Sequence, residues 1–341
     1  MSDGLRAFLA LGGAGLLAVV AVPLARRIAV ATDFLDHPLG YGYKDHAGST
    51  PYLGGAAVMV AFAAAALILG GGFPGIPGVV ALALLLALMG TIDDRRPLGP
   101  GLRFGIQLGA GVALWLDGIR WEPFGVLALD LPITLIWVAG LTNAFNLLDN
   151  IDGAAGTVGA VSAAGIGAIA LNAGDGELAV AAWALSGACA AFLLFNLSES
   201  RKIFLGDGGS MPIGFLIAAL AMMLPTATPE VAVLAAVPLA AAAIFDTTLV
   251  VVSRNRRGVG ILTGGRDHST HRLLDRLGTP RRVCAVLAVG SALFCALSYA
   301  MFEMSVAGVI VATGIYVGLG LVLLAAFEGV FSAPGRVEQS G

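Results

Sequence analysis

Apolar residues dominate the chain in long runs, and polar residues are confined to short segments between these runs. With a window of membrane length, the sequence contains about eleven apolar stretches of roughly 15 to 22 residues, close to the length that a helix needs to cross a bilayer. The stretches cover residues 5–25, 53–70, 76–91, 103–116, 131–148, 154–171, 178–197, 211–225, 231–252, 283–301 and 306–327. No linker or repeat divides them, so we expect a single all-α, polytopic domain over residues 1–341, embedded in a lipid bilayer.

The composition excludes a soluble globular enzyme. Apolar residues make up 58% and charged residues only 12% of the 341 residues, whereas about 25% charge is usual in a soluble protein. The 48 glycines favour close approach between membrane helices. A net charge of −3 gives no reason to expect a nucleic-acid partner. The three cysteines lie inside apolar runs without metal-ligand spacing, so we expect buried, unpaired thiols.

Basic residues are distributed unequally between the two sides of the predicted membrane domain. If the stretches alternate in direction, 17 of the 19 Lys and Arg residues fall on one side, and only Arg6 and Arg120 fall on the other. The positive-inside rule makes the basic side cytoplasmic. We therefore predict an N-terminus outside and a C-terminus in the cytoplasm, in a cell inner or plasma membrane.

Carboxylates gather on the same predicted side. Three separate loops, each beside the end of an apolar stretch, contain Asp93, Asp94, Asp149, Asp152 and Asp207. Carboxylates so close to a membrane repel one another unless something positive lies between them. Hard divalent cations take oxygen ligands, so the pattern predicts a cation site that also accepts phosphate groups.

A segment near the middle of the chain spaces its polar residues evenly. Asn143 and Asn146 are followed by Asp149 and Asp152, each three residues after the last. This spacing predicts one polar stripe along an otherwise apolar helix, and Gly153 fits the end of that helix. Polar side chains at membrane depth usually have a functional role, so we expect the stripe to face a ligand.

Further polar residues are compatible with phosphate binding. Glycines surround Asp207 and let backbone N–H groups approach a phosphate, although an ordinary glycine-rich turn would look the same. A basic loop contains Arg266, His268 and His271, which can donate charge-assisted hydrogen bonds to a diphosphate. A positive-inside loop would also explain the arginine. Asp246, inside an apolar stretch, is compatible with helix packing or with a site role.

Together these segments resemble the polyprenyl-phosphate N-acetylhexosamine-1-phosphate transferases, a membrane family that starts bacterial cell-envelope glycans. The resemblance extends over about residues 33–275 and follows the order of the family's motifs. Its elements are Asp36-His-Pro38, Ser49 to Gly55, Asp93-Asp94, Arg103 with Gln107, Asn143 to Gly153, Phe204 to Ser210, and Phe245-Asp246-Thr247. Two positions depart from the family, since Arg103 replaces a Lys and Thr270 replaces the middle His of a histidine motif.

The resemblance implies that polyprenyl (undecaprenyl or decaprenyl) phosphate reacts with a UDP-N-acetylhexosamine, most simply UDP-GlcNAc, and that UMP is released. It implies Mg²⁺ as cofactor, with Mn²⁺ as the alternative. It assigns catalysis to Asp93, Asp94 and Asp152, and the metal to Asp207 and Asp149. The substrate-binding residues that it implies are Lys44, Arg103, Asn143, Asn146, Asn196, Arg266, His268 and His271. A homodimer is left open.

Two other functions are alternatives at this point. A phospho-N-acetylmuramoyl-pentapeptide transferase would use the same chemistry, but the region around Lys44 lacks its basic, histidine-rich lead-in. A secondary transporter would place ionisable residues near the bilayer midplane, often in repeated halves. The carboxylates of this chain instead collect at one predicted face, and we detect no repeat.

Overall fold

The computed structural model describes residues 1–36, 49–70, 75–226, 228–261 and 263–331. Within these residues the chain is mostly helical, as the apolar pattern predicts. The helices are α1 (Asp3–Ala31), α2 (Gly54–Leu69), α3 (Ile76–Arg95), α4 (Pro100–Leu116), α5 (Leu127–Leu148), α6 (Ala154–Asn172), α7 (Gly176–Asn196), α8 (Asp207–Met222), α9 (Pro229–Ala236), α10 (Ala241–Arg257), α11 (Ser269–Leu277), α12 (Pro280–Phe302) and α13 (Val306–Phe331). A 3-10 turn (Val237–Ala240) joins α9 to α10, and β1 (Leu35–Asp36) pairs antiparallel with β2 (Thr50–Pro51).

Eight helical segments of the described chain are long and apolar enough to cross a membrane. They are α1, α3, α5, α6, α7, α12, α13 and the continuous unit from α9 to α10. The apolar helices α2 and α8 have only 16 residues each, and α4 has 17. The expected all-α, polytopic membrane architecture is confirmed, whereas the number of about eleven crossings depends on whether these three shorter helices also cross.

The central element of the bundle is α8. All of its residues from Gly208 to Met222 are buried, and it contacts α2, α3, α5, α6 and α7. At the periphery, α13 exposes large apolar side chains such as Ile310, Val311 and Leu321, as expected for a helix surrounded by lipid. Because α8 is surrounded by other helices, its first residue, Asp207, lies among the ends of those helices.

Hydrogen bonds between helix ends define one end of the bundle. Asp94, in the last turn of α3, contacts the first residue of α8. Asn196, the last residue of α7, contacts Gly153, the N-cap of α6. Arg103, in the first turn of α4, contacts Asp93 on α3. The polar motifs of the sequence are therefore brought together at this end.

Close packing of α1 against α7 depends on Gly187, because an added Cβ there would collide with the carbonyl oxygen of Leu11. We expect Gly187→Ala to destabilise the protein by about 1–3 kcal/mol, since the two helices must separate. Thermal unfolding in detergent measures this effect. The control is Gly13→Ala on α1, where an added Cβ meets no atom within 4 Å. Equal effects of the two substitutions would contradict the importance of this contact.

Candidate active site

A cleft of about 540 Å³ opens at the end of the bundle where α8 begins. Its lining includes five carboxylates, two cationic side chains and three aromatic rings. These are Asp36, Asp94, Asp149, Asp152 and Asp207, then Lys202 and Arg266, then Tyr52, Phe204 and His271. Among the described residues, acidic groups in the lining thus outnumber basic ones. The volume suits a small polar ligand.

Backbone pairing holds the segment that precedes α8. The N–H of Phe204 donates to the carbonyl of Pro51 (2.8 Å), and the carbonyl of Phe204 accepts from the N–H of Gly54 (3.1 Å). Gly206 then adopts φ +70°, a backbone region that favours glycine, and the chain turns into α8. Asp207 is fixed in this way at the edge of the cleft.

Asp94 joins α3 to the start of α8. Its carboxylate accepts hydrogen bonds from the N–H groups of Asp207 (2.9 Å) and Gly208 (3.2 Å). These N–H groups have no partner within their own helix, and a negative charge is favourable at a helix N-terminus. The approach requires Gly90 on α3, because an added Cβ there would collide with the backbone of Asp207.

Asp93, the neighbour of Asp94, has different contacts. Its carboxylate accepts from the guanidinium of Arg103 (2.7 Å) and from the N–H of Leu98 (2.5 Å). It is buried and is not among the described residues that line the cleft. Arg103 also lies 3.5 Å from Asn146 Oδ1 and 3.6 Å from Asp207 Oδ2. Asp93 therefore does not line the cleft but interacts with its lining residue Asp207, both directly and through Arg103.

The four residues predicted to form one helical stripe divide into two pairs. Asn143 and Asn146 lie on α5. Asp149 and Asp152 lie in the turn beyond it, because the chain reverses there into α6, whose N-cap Gly153 has φ +82°. The prediction of a single stripe was wrong in its second half. Asp149 and Asp152 nevertheless both line the cleft.

The two amides on α5 lie behind the cleft lining. Asn143 donates to Gln107 Oε1 (2.5 Å) on α4. Asn146 donates to Asp207 Oδ1 (2.6 Å) and to the hydroxyl of Ser210 (3.1 Å). In the described part of the chain, neither amide lines the cleft. Asn146 therefore helps to hold Asp207, whereas Asn143 joins α5 to α4.

Lys202 also lines the cleft, although the motifs of the sequence predicted no role for it. Its Nζ lies 2.7 Å from Asp152 Oδ2 and 5.2 Å from the centre of the Phe204 ring. A signal for it existed, since Lys202 is one of only two lysines in the sequence and comes just before the Phe204 to Ser210 motif. Other polar or aromatic lining residues that were not assigned a role are Asp36, Tyr52, Asn150 and Phe204.

The electrostatics of the cleft favour a bound cation. Burial raises the pKa of Asp149 well above its usual range, and the carboxylates of Asp207, Asp94 and Asp152 raise it further. Among the described residues, no three His, Cys, Asp or Glu side chains are grouped closely enough to hold a metal by themselves. The carboxylate oxygens of Asp149 and Asp207 are of the type that Mg²⁺ takes as ligands, commonly one or two carboxylates together with substrate phosphates.

The basic segment contributes Arg266 and, from α11, His271 to the cleft, but His268 is not among the described lining residues. Burial lowers the pKa of His271 to about 4, as do the nearby His268 and Arg266. Its imidazole is therefore neutral at pH 7. The Nδ1 atom of His268 lies 2.8 Å from Asp246 Oδ2 on α10. Lys44 lies outside the described residues.

Asn196 lines the cleft and also supports its wall. It donates to the carbonyl of Ile203 (2.9 Å) and accepts from the buried N–H of Gly153 (2.5 Å). We expect Asn196→Ala to destabilise the protein by about 1–3 kcal/mol, because it leaves that N–H unpaired. Thermal unfolding in detergent measures the loss. Asn172→Ala, which removes the exposed contact with Glu303, is the control, and an equal loss in both would contradict the structural role.

Comparison with known proteins places these features in a family. The pattern of glycosyl transferase family 4 matches residues 76–225. This segment includes Asp94, Asp149, Asp152 and Asp207, and thus four of the five carboxylates that line the cleft.

Three relatives align over most of their length. The chain is 30% identical to the decaprenyl-phosphate N-acetylglucosaminephosphotransferase of Mycolicibacterium smegmatis, over 82% of the chain and 79% of the relative. It is 29% identical to the undecaprenyl-phosphate α-N-acetylglucosaminyl 1-phosphate transferase of Escherichia coli, over 79% and 77%. It is 27% identical to a probable undecaprenyl-phosphate N-acetylglucosaminyl 1-phosphate transferase of Bacillus subtilis, over 76% and 75%.

Proposed function

The chain belongs to glycosyl transferase family 4, and on that premise we propose that it transfers N-acetylglucosamine-1-phosphate from UDP-N-acetylglucosamine to polyprenyl phosphate. The observation that carries the proposal is the cleft, where the carboxylates of Asp94, Asp149 and Asp207 come together from the ends of three helices beside Lys202 and Arg266. The names of the relatives specify a polyprenyl phosphate and an N-acetylglucosamine phosphate. The product would start a cell-envelope glycan.

In the proposed reaction, a phosphate oxygen of the lipid attacks the β-phosphorus of the UDP-sugar. The bond between that phosphorus and the oxygen of UMP breaks, and UMP leaves. Both reactants are anions, so positioning and charge neutralisation supply most of the catalysis. Asp207 and Asp149 would hold Mg²⁺, or alternatively Mn²⁺, which when bound would offset the charge of the diphosphate. Lys202 and Arg266 supply donors for diphosphate oxygens.

The two substrates would meet different parts of the cleft. Asp94, in the last turn of α3, contacts the start of α8 and lies close to α4. We assign it to the lipid phosphate. Asp93 would act indirectly, since it holds Arg103 near Asp207. Asp152 and His271 also line the cleft, and we assign them to the nucleotide sugar. A polyprenyl tail is recognised mainly by apolar surface.

We expect Asp207→Asn to reduce UMP release from UDP-GlcNAc by at least about a hundredfold and to weaken its dependence on Mg²⁺, because an anionic ligand is lost. The assay uses detergent-solubilised protein, polyprenyl phosphate and Mg²⁺. The control is Glu199→Gln, which neutralises an exposed carboxylate in the loop that precedes Asp207. Near-normal turnover of Asp207→Asn at low millimolar Mg²⁺ would contradict its role as a metal ligand.

We further propose that eleven helical segments of one domain cross the membrane, with the N-terminus outside. The cleft and the C-terminus would then face the cytoplasm at the inner or plasma membrane. Support comes from the distribution of charge, since 17 of the 19 basic residues fall on the proposed cytoplasmic side.

Cysteine labelling tests this topology. The three native cysteines are buried and free, as expected, and can be replaced before single reporters are introduced. A cysteine in place of exposed Gly260 should resist a membrane-impermeant reagent in intact cells. A cysteine in place of Phe124, which is 60% exposed at the opposite end of the bundle, should react. Labelling of position 260 from outside would overturn the orientation.

A further inference from the structure

Asp246 is a buried carboxylate that the proposed reaction does not use. It lies on α10 with none of its surface exposed, and its three hydrogen bonds within the described chain all go to two neighbouring residues. Oδ1 accepts from the N–H (2.7 Å) and the hydroxyl (2.6 Å) of Ser269, and Oδ2 lies 2.8 Å from Nδ1 of His268. Burial of a carboxylate without partners is costly, so these contacts determine where His268 and Ser269 can lie.

The contacts act on the start of α11. His268 is the N-cap of this helix and Ser269 is its first residue. The carboxylate of Asp246 satisfies an otherwise unpaired N–H group and is favourable at the positive end of the helix dipole. His271 lies one turn further along on the same face, with its ring centre 5.6 Å from that of His268. Asp246 is thereby connected to the cleft through two histidines.

Residues 266–272, which we call the histidine segment, are also held at other points. Asp267 accepts two hydrogen bonds of 2.9 Å from Arg254. Thr270 donates to Asn150, which lines the cleft. These contacts fix the backbone on either side of the first histidine. Of the groups that hold the histidine segment, the carboxylate of Asp246 on α10 is the one that contacts the ring of His268.

We propose that Asp246 is a positioning residue, which fixes the histidine segment against the cleft and so orients His271 toward the nucleotide sugar. The identity of that ligand rests on the proposed function, whereas the contact itself does not. Because a carboxylate can only accept, it selects the tautomer of His268 that carries a hydrogen on Nδ1. Asp246→Asn keeps the shape of the side chain but replaces one acceptor oxygen with a donor, so it disturbs this pair without opening a cavity.

Hydrogen exchange of the full-length protein in detergent tests the positioning without any need for activity. We expect Asp246→Asn to accelerate exchange of the amides of residues 266–274 by about tenfold or more, because a charged hydrogen-bond network is lost. The matched control is Asp130→Asn. Asp130 is 1% exposed and accepts from the N–H groups of Phe124 and Val126 at the opposite end of the bundle. Unchanged exchange of residues 266–274 in Asp246→Asn would overturn the inference.

Kinetics test whether the position of the segment matters for the reaction. We expect Asp246→Asn to lower kcat/KM for UDP-GlcNAc by about tenfold to a hundredfold, mainly through KM. The double variant Asp246→Asn/His271→Ala should lose little more than His271→Ala alone, since Asp246 acts through His271. Losses that multiply would overturn this role. If the wild-type protein does not turn over UDP-GlcNAc, the proposed function fails, and the exchange experiment alone decides the inference.

Discussion

The hydrogen bonds from the N–H groups of Asp207 and Gly208 to Asp94 join the end of α3 to the start of α8, the central helix of the bundle. The first N–H groups of a helix have no partner within it, and leaving them unpaired in an apolar setting would be costly. Asp94 satisfies them and also lines the cleft. One interaction therefore both stabilises the helix packing and brings negative charge to the site.

The same arrangement brings several carboxylates close together in a partly buried cleft. Asp149 and Asp207 lie near Asp94, and the pKa of Asp149 is raised by burial and then by its neighbours. Repulsion among carboxylates is stronger in a low-dielectric site than in water. Asn146 and Arg103 offset part of this repulsion by their contacts with Asp207. In the proposed reaction, a divalent cation would offset the remaining repulsion and the charge of the diphosphate.

The helices could be predicted from the sequence because an apolar run is a local signal. The stretch predicted at residues 131–148, for example, coincides with most of α5 (Leu127–Leu148). The even spacing beyond it was misleading, because the turn into α6 ends the helix before Asp149. Periodicity describes a helix but contains no information on where the bundle forces the chain to reverse.

Contacts between distant segments could not be read from spacing. Asp93 and Asp94 are neighbours in the sequence, yet Asp93 pairs with Arg103 whereas Asp94 binds the start of α8. The distinction depends on how α4 and α8 pack against α3. The family motifs predicted the reaction class well, and the relatives support a polyprenyl-phosphate N-acetylglucosamine-1-phosphate transferase over the muramoyl-pentapeptide transferase and the transporter.

Thermal unfolding in detergent with UDP-GlcNAc and Mg²⁺, added separately and together, tests most directly whether cation and diphosphate complete one site. If the carboxylates of the cleft need both, UDP-GlcNAc should stabilise the wild-type protein strongly only when Mg²⁺ is present, and the joint effect should exceed the sum of the separate ones. Asp149→Asn should reduce this excess. Equal stabilisation by UDP-GlcNAc in Mg²⁺ and in a chelator would contradict a shared site.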